Sequence, residues 1–159
     1  MENTEIKKVS FPPLIDEEAE ILILGTMPGN DSLRLGQYYA SSNNSFWKII
    51  NALFNENKGF ADYKEKVDCL KKNHIALWDV LSSCNREGSA DSNIQEEKLN
   101  DIEALLKQYP NIKKIVFNGQ KAAKSYTPCI AYAIAESTSN ANAKKIGVKI
   151  KNWESNLKK

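Results

Sequence analysis

The chain has 159 residues, with 22 Lys and Arg against 20 Asp and Glu and a net charge of +2. That length suits a single domain over residues 1–159, and a composition 26% charged and 42% hydrophobic excludes a disordered chain. The net figure hides a gradient: residues 1–103 carry 11 basic and 18 acidic side chains, whereas residues 104–159 carry 11 basic and 2 acidic ones, joining a −7 segment to a +9 segment. A polyanionic partner is therefore open, beside the plainer reading of a Lys-rich solvated surface.

Cys69, Cys84 and Cys129 are odd in number and widely spaced, which suggests no disulfide framework and a reducing, cytoplasmic setting. Three thiols fall short of an iron–sulfur ligand set, and one histidine (His74) without a CxxC makes zinc an unsuitable guest, so no metal and no cofactor is expected. The opening MENTEIKK lacks an apolar signal core and the longest strongly apolar stretch, residues 21–24, is too short for a bilayer, so no membrane partner is expected.

In chain order, residues 20–27 (EILILGTM) form a short apolar run that breaks at Pro28-Gly29, as a buried strand entering a loop does. Phe46, Trp47, Ile49, Ile50, Leu53 and Phe54 then follow helical spacing. Residues 74–80 (HIALWDV) predict a second strand. Ile94, Leu99, Ile102, Leu105 and Leu106 predict a helix ended by Pro110, with Ser92-Asn93-Ile94-Gln95 as its capping box. Residues 113–118 (KKIVFN) predict a third strand broken by Gly119, residues 120–126 a short helix, and residues 131–136 (AYAIAE) a weaker fourth strand. Ile146, Ile150, Trp153 and Leu157 form a final helical stripe. Alternating strands and helices imply an α/β fold, a three-layer α/β/α sandwich around a parallel sheet, whose working residues gather at the carboxyl ends of the strands.

Those ends point to four loops. Residues 25–44 open with Gly25-Thr26-Met27-Pro28-Gly29, which matches neither a P-loop nor a dinucleotide fingerprint, and go on to Tyr38, Tyr39 and Ser41-Ser42-Asn43-Asn44. Aromatic faces beside amides suit a planar, hydrogen-bonding ligand such as a base; tyrosines in the core and asparagines capping a helix explain the same residues without a ligand. Residues 81–92 contain Arg86, suited to a phosphate or to Glu87 or Asp91. Residues 118–120 close the third strand. Residues 136–143 (ESTSNANA) offer hydroxyls and amides ahead of Lys144 and Lys145, a phosphate cradle or an ordinary capping loop.

Together FPPLID with ILILGTMPG, LGQYYASSNNSFW, LWDVLSSCNREGSADSNI, IVFNGQKA and STSNANA resemble the uracil-DNA glycosylase superfamily, and within it the hypoxanthine-DNA (DNA-deoxyinosine) glycosylase branch. The resemblance runs from about Phe11 to Trp153 and implies a four-stranded parallel sheet between helices, with hydrolysis of the bond joining a deaminated base to deoxyribose. It implies Asn44 as the catalytic residue, Tyr39 stacking on a flipped base, and Ser137, Thr138 and Ser139 gripping phosphate. The expected base pocket comprises Gly25, Thr26, Met27, Pro28, Tyr39, Ser89 and Asn118; the expected DNA contacts are Arg86, Ser137, Thr138, Ser139, Asn142, Lys144 and Lys145.

Two departures matter. Met27 stands where many superfamily members carry a water-orienting Asn or Asp, as in the hypoxanthine branch. The branch's PSTSPANA reads ESTSNANA here, so Glu136 and Asn140 replace prolines and Glu136 sets a negative charge beside the phosphate grip, which predicts weaker DNA affinity. No lysine matches a nucleophile position, so no Schiff-base step is expected. The expected activity is a monofunctional, monomeric, cytoplasmic glycosylase releasing hypoxanthine from double-stranded DNA containing a deaminated base. The alternatives are a mismatch-specific uracil glycosylase and a non-catalytic DNA- or nucleotide-binding protein of the same fold.

Overall fold

The computed structural model describes residues 7–86, 89 and 94–158. Its centre is a parallel sheet of β2 (Ile21–Gly25), β3 (Ile75–Asp79), β6 (Lys114–Asn118) and β7 (Ala131–Ala135), in the spatial order β3-β2-β6-β7. These are the four predicted strands, and the α/β sandwich with a four-stranded parallel sheet is the fold observed. Side chains alternate across the sheet as its pleat requires. Ile23, Ile75, Leu77 and Val116 point into one core with α2 (Phe46–Phe54), α3 (Tyr63–Lys72) and α6 (Ile146–Leu157). Leu22, Leu24, Ala76, Ile115 and Phe117 point into the other with α4 (Ile102–Gln108) and α5 (Gln120–Ser125).

A second, antiparallel sheet of β1 (Lys7–Val9), β4 (Leu81–Asn85) and β5 (Gln95–Leu99), in the order β1-β4-β5, was not expected. It corrects the predicted helix over residues 94–106. Gln95–Leu99 pairs antiparallel with β4, and α4 starts later, its N-cap Asp101 accepting from Ala104 N at 3.0 Å. Asn100 fixes the junction, donating through Nδ2 to the carbonyls of Asp79 (2.8 Å) and Leu81 (3.2 Å). Ile94 packs against Met27, Leu81 and Cys84, while Leu99 is exposed, so the apparent helical stripe spans two elements. Ser92 and Asn93 of the expected capping box lie outside the described residues.

The last helix also departs from its stripe. Trp153 and Leu157 are buried as expected, but Ile146 is exposed and Lys149 takes the buried position one turn before Trp153. No helix among the described residues is long and apolar enough to cross a membrane. β2 is the switch point of the sheet: the chain winds outward from it to β3 on one side and through β6 to β7 on the other. In open parallel sheets ligands enter at the carboxyl ends of strands at such a point. Residues 114–157 build β6, α5, β7 and α6, so most of the basic segment lies on the β6–β7 side of that crevice.

The cap assignment has a direct test. Replacing Asp101 with Ala removes the side-chain bond to Ala104 N and should lower stability by about 1 kcal/mol, read from the urea midpoint, whereas Asp101→Asn should retain most of it.

Candidate active site

The carboxyl ends of β2, β3, β6 and β7 surround a hollow of about 540 Å³, within the range of small-molecule sites. Its floor starts at Gly25. Parallel pairing sets Gly25 opposite Asp79, and a Cβ on residue 25 would lie 2.6 Å from Asp79 Oδ1 and 2.9 Å from the Tyr39 hydroxyl. Only glycine permits that approach. Asp79 is 3% exposed and lines the hollow with Thr26, Met27 and Pro28. Asp79 was absent from the expected site; an acid closing an otherwise apolar strand, IALWD, at the switch point was the signal available.

Tyr39 adopts a left-handed backbone with φ 55°, a strained conformation for an aromatic residue. Its surroundings hold it there. Tyr38 N donates to the Tyr63 hydroxyl, Tyr38 O accepts from Trp47 Nε1 at 2.8 Å, and Ala40 N donates to Ser32 Oγ. The Tyr39 ring stacks on buried Phe46 with centroids 4.3 Å apart, and Tyr39 lines the hollow. Tyr38 itself is core, its hydroxyl donating to Pro12 O at 2.9 Å; burial, helped by the nearby Asp79 carboxyl, pushes its ionisation far above the usual tyrosine range.

Asn44 lies on the wall, in the turn that starts α2. Its Oδ1 accepts from Phe46 N at 2.9 Å, as the helix-start reading expects, and the residue also lines the hollow. With the oxygen engaged, the amide presents Nδ2 as its hydrogen-bonding donor. Asn118, ending β6, is locked to the opposite loop: Nδ2 donates to Thr138 Oγ1 and Oδ1 accepts from Thr138 N, each at 2.9 Å. The Thr138 carbonyl accepts from Ser45 N at 2.9 Å. Thr138 is 1% exposed, so it ties the loop to β6 and α2 and does not grip phosphate from the surface.

Ser137 Oγ accepts from Ser139 N and Ser139 Oγ accepts from Ala141 N, each at 3.1 Å. Each serine oxygen thereby accepts one backbone donor, and its hydroxyl proton remains able to donate to a ligand. Gly119, at φ 93° with a notional Cβ 3.0 Å from Ser137 Cβ, lets β6 pass beneath this loop. Asn142 and Lys144 turn toward Glu136, whose carboxyl they bond at 3.0 and 2.7 Å, while Lys145 is exposed at the start of α6. Ser89 is exposed on the rim and accepts from Asn30 N at 2.9 Å.

Arg86 is a correction to the expected DNA contacts. It is 1% exposed, and its guanidinium donates to the Pro28 carbonyl, bracing the glycine-proline loop from behind. A guanidinium at that depth does not meet a phosphate. Glu87 and Asp91, the other partners considered for it, lie outside the described residues.

The comparisons with known proteins agree with this geometry. The family model described as Uracil DNA glycosylase superfamily matches residues 12–155. A hypoxanthine DNA glycosylase of Methanosarcina barkeri is 36% identical over 159 residues, covering 97% of this chain and 100% of that protein. A hypoxanthine DNA glycosylase of Methanosarcina acetivorans is 42% identical over 123 residues, 77% of each chain. The solution NMR structure of a candidate uracil DNA glycosylase from Methanosarcina acetivorans superposes with a TM-score of 0.83 at 37% identity, covering 95% of this chain and 96% of that one. With the sheet order, the strand-end hollow and these matches in agreement, the chain belongs to the uracil DNA glycosylase superfamily.

Proposed function

We propose that this chain is a monofunctional DNA glycosylase that releases hypoxanthine from deoxyinosine in double-stranded DNA and leaves an abasic site. The observation that carries this reading is the meeting, in one hollow, of an acceptor (Asp79), an amide donor (Asn44) and an aromatic wall (Tyr39 on Phe46). Its relatives named hypoxanthine DNA glycosylase support the choice of base. The chain acts as a monomer, and the thiols of Cys69, Cys84 and Cys129 suit a reducing cytoplasm.

A base inside a duplex is out of reach, so the nucleotide rotates into the hollow. Tyr39 stacks on the base, and the Asp79 carboxyl accepts the lactam N1–H. As the bond between C1′ and N9 breaks, its electron pair leaves with the base and the sugar gains oxocarbenium character. Asn44 Nδ2 donates to the departing base or holds the oxygen of the incoming water. That water adds to C1′ and gives up a proton, and the base departs after taking one. Met27 offers no group to orient water, so preorganised hydrogen bonds supply the rate enhancement. The hydroxyls of Ser137 and Ser139 hold the phosphate flanking the flipped nucleotide, with Lys145 and Asn142 beside them.

Duplexes holding a single deoxyinosine, uracil or xanthine, followed by alkaline cleavage of abasic sites, test the reading. Deoxyinosine should be cut. Asn44→Ala should lower single-turnover excision by about 100- to 1,000-fold, and Asp79→Asn by about 10- to 100-fold, since an amide offers a different hydrogen-bonding pattern to N1–H. Cleavage of uracil alone would support a mismatch-specific uracil glycosylase, and binding without cleavage a non-catalytic module. The paired change Ser137→Ala with Ser139→Ala should raise KM about tenfold while sparing kcat; an unchanged KM would remove these serines from the grip.

A further inference from the structure

A second, shallower hollow of about 370 Å³ adjoins the first, sharing Ser137 and Ala141 with it, and Glu136 stands in its wall. The main chain of Glu136 is clamped: its N–H donates to Asn152 Oδ1 and its carbonyl accepts from Trp153 Nε1, both at 2.8 Å. Its side chain is fully engaged as well, with Oε1 accepting from Asn142 Nδ2 at 3.0 Å and Oε2 from Lys144 Nζ at 2.7 Å. Beneath them, buried Lys149 reaches the Ser139 carbonyl at 3.4 Å. The hydrogen bonds from Lys144 and Asn142, with the charge of Lys149 behind them, keep the Glu136 carboxyl below its ordinary ionisation range.

The two ends of this ion pair differ in exposure: the Lys144 side chain is 55% exposed and that of Glu136 25%. A pair so open to water contributes little on its own, and its cation is free to swing on a flexible stem while its carboxyl remains tied to Asn142. Glu136 lines the second hollow and Lys144 is bonded to its carboxyl, so a phosphodiester laid along this rim beside the first hollow would meet both charges.

We propose that Glu136 and Lys144 form an exchangeable pair that lowers the affinity of this site for the DNA backbone. Without DNA, Glu136 holds Lys144. With DNA, Lys144 transfers to the phosphodiester beside the excised nucleotide, and the carboxyl left on Asn142 repels that phosphate and hastens release of the abasic product. The inference rests on the glycosylase reading and goes beyond it by assigning Glu136 a role in turnover.

Glu136→Gln removes the charge and keeps the size and the Asn142 bond. Fluorescence anisotropy with a duplex carrying a tetrahydrofuran abasic analogue should show it binding about threefold to fivefold tighter than the unaltered protein. The slope of log affinity against log salt should steepen by about one, and steady-state turnover should fall below the rate of the first turnover. Adding Lys144→Met should abolish the gain. Equal or weaker binding by Glu136→Gln at an unchanged melting temperature overturns the inference alone; failure of the unaltered protein to bind or cut inosine duplexes overturns the glycosylase reading with it. Should Glu136→Gln unfold, Lys144→Gln carries the test: it must bind the abasic duplex at least about twofold more weakly, and equal affinity overturns the proposal.

Discussion

At the end of β2 the main chain passes so close to Asp79 and Tyr39 that a methyl group on residue 25 would sit 2.6 Å from a carboxyl oxygen and 2.9 Å from a hydroxyl. The rest of the site depends on that contact. It brings the ends of two parallel strands and a left-handed tyrosine to one point, and Phe46 supports the tyrosine ring from beneath. Because Phe46 also packs on Trp47 and Trp153, the wall of the hollow is continuous with the core between the sheet and α6. Rigidity at the site is inherited from close packing below it.

Thr138 does the corresponding work on the other side. Its paired bonds with Asn118 and the bond from Ser45 N to its carbonyl join β6, the serine loop and the start of α2. The wall bearing Asn44 and the loop bearing Ser137 and Ser139 therefore move as one body. The proposed base wall and the proposed backbone grip are thus linked through Thr138, which is buried beneath both.

Three runs of the parallel sheet, β2, β3 and β6, were legible because each is a short, largely buried apolar run ended by glycine or a polar residue, whereas β7, exposed over most of its length, gave the weaker signal. β5 was not legible. QEEKL is exposed along its whole length and is held by ladder hydrogen bonds and by Asn100, so it carries no apolar period, while its terminal Leu99 and the neighbouring Ile94 lent it a false helical one. α3 escaped notice for a related reason: only Cys69 and Leu70 of YKEKVDCLKK are buried, too thin a stripe to read. Within the site, Asn44, Tyr39, Asn118 and the serine loop converge as the strand-end rule implied. Arg86 was misjudged, and Asp79 and Lys149 were not singled out, because residue type says nothing of depth: the arginine braces a loop, the acid lines the hollow, and the lysine fills a core position in an amphipathic helix. The charge gradient, by contrast, was legible from the sequence by position, as was the placing of Glu136 beside the serine loop.

The central claim is that the hollow over Gly25 receives the excised base. Backbone and side-chain amide NMR shifts, followed on adding a duplex whose deoxyinosine bears fluorine at the sugar 2′ carbon to slow loss of the base, test it directly. The account predicts changes at Gly25, Thr26, Asn44 and Asn118 with the inosine duplex, and changes confined to the serine loop and the lysines beyond it with an undamaged duplex. Identical changes with both duplexes, leaving Gly25 and Asn44 unmoved, would contradict it.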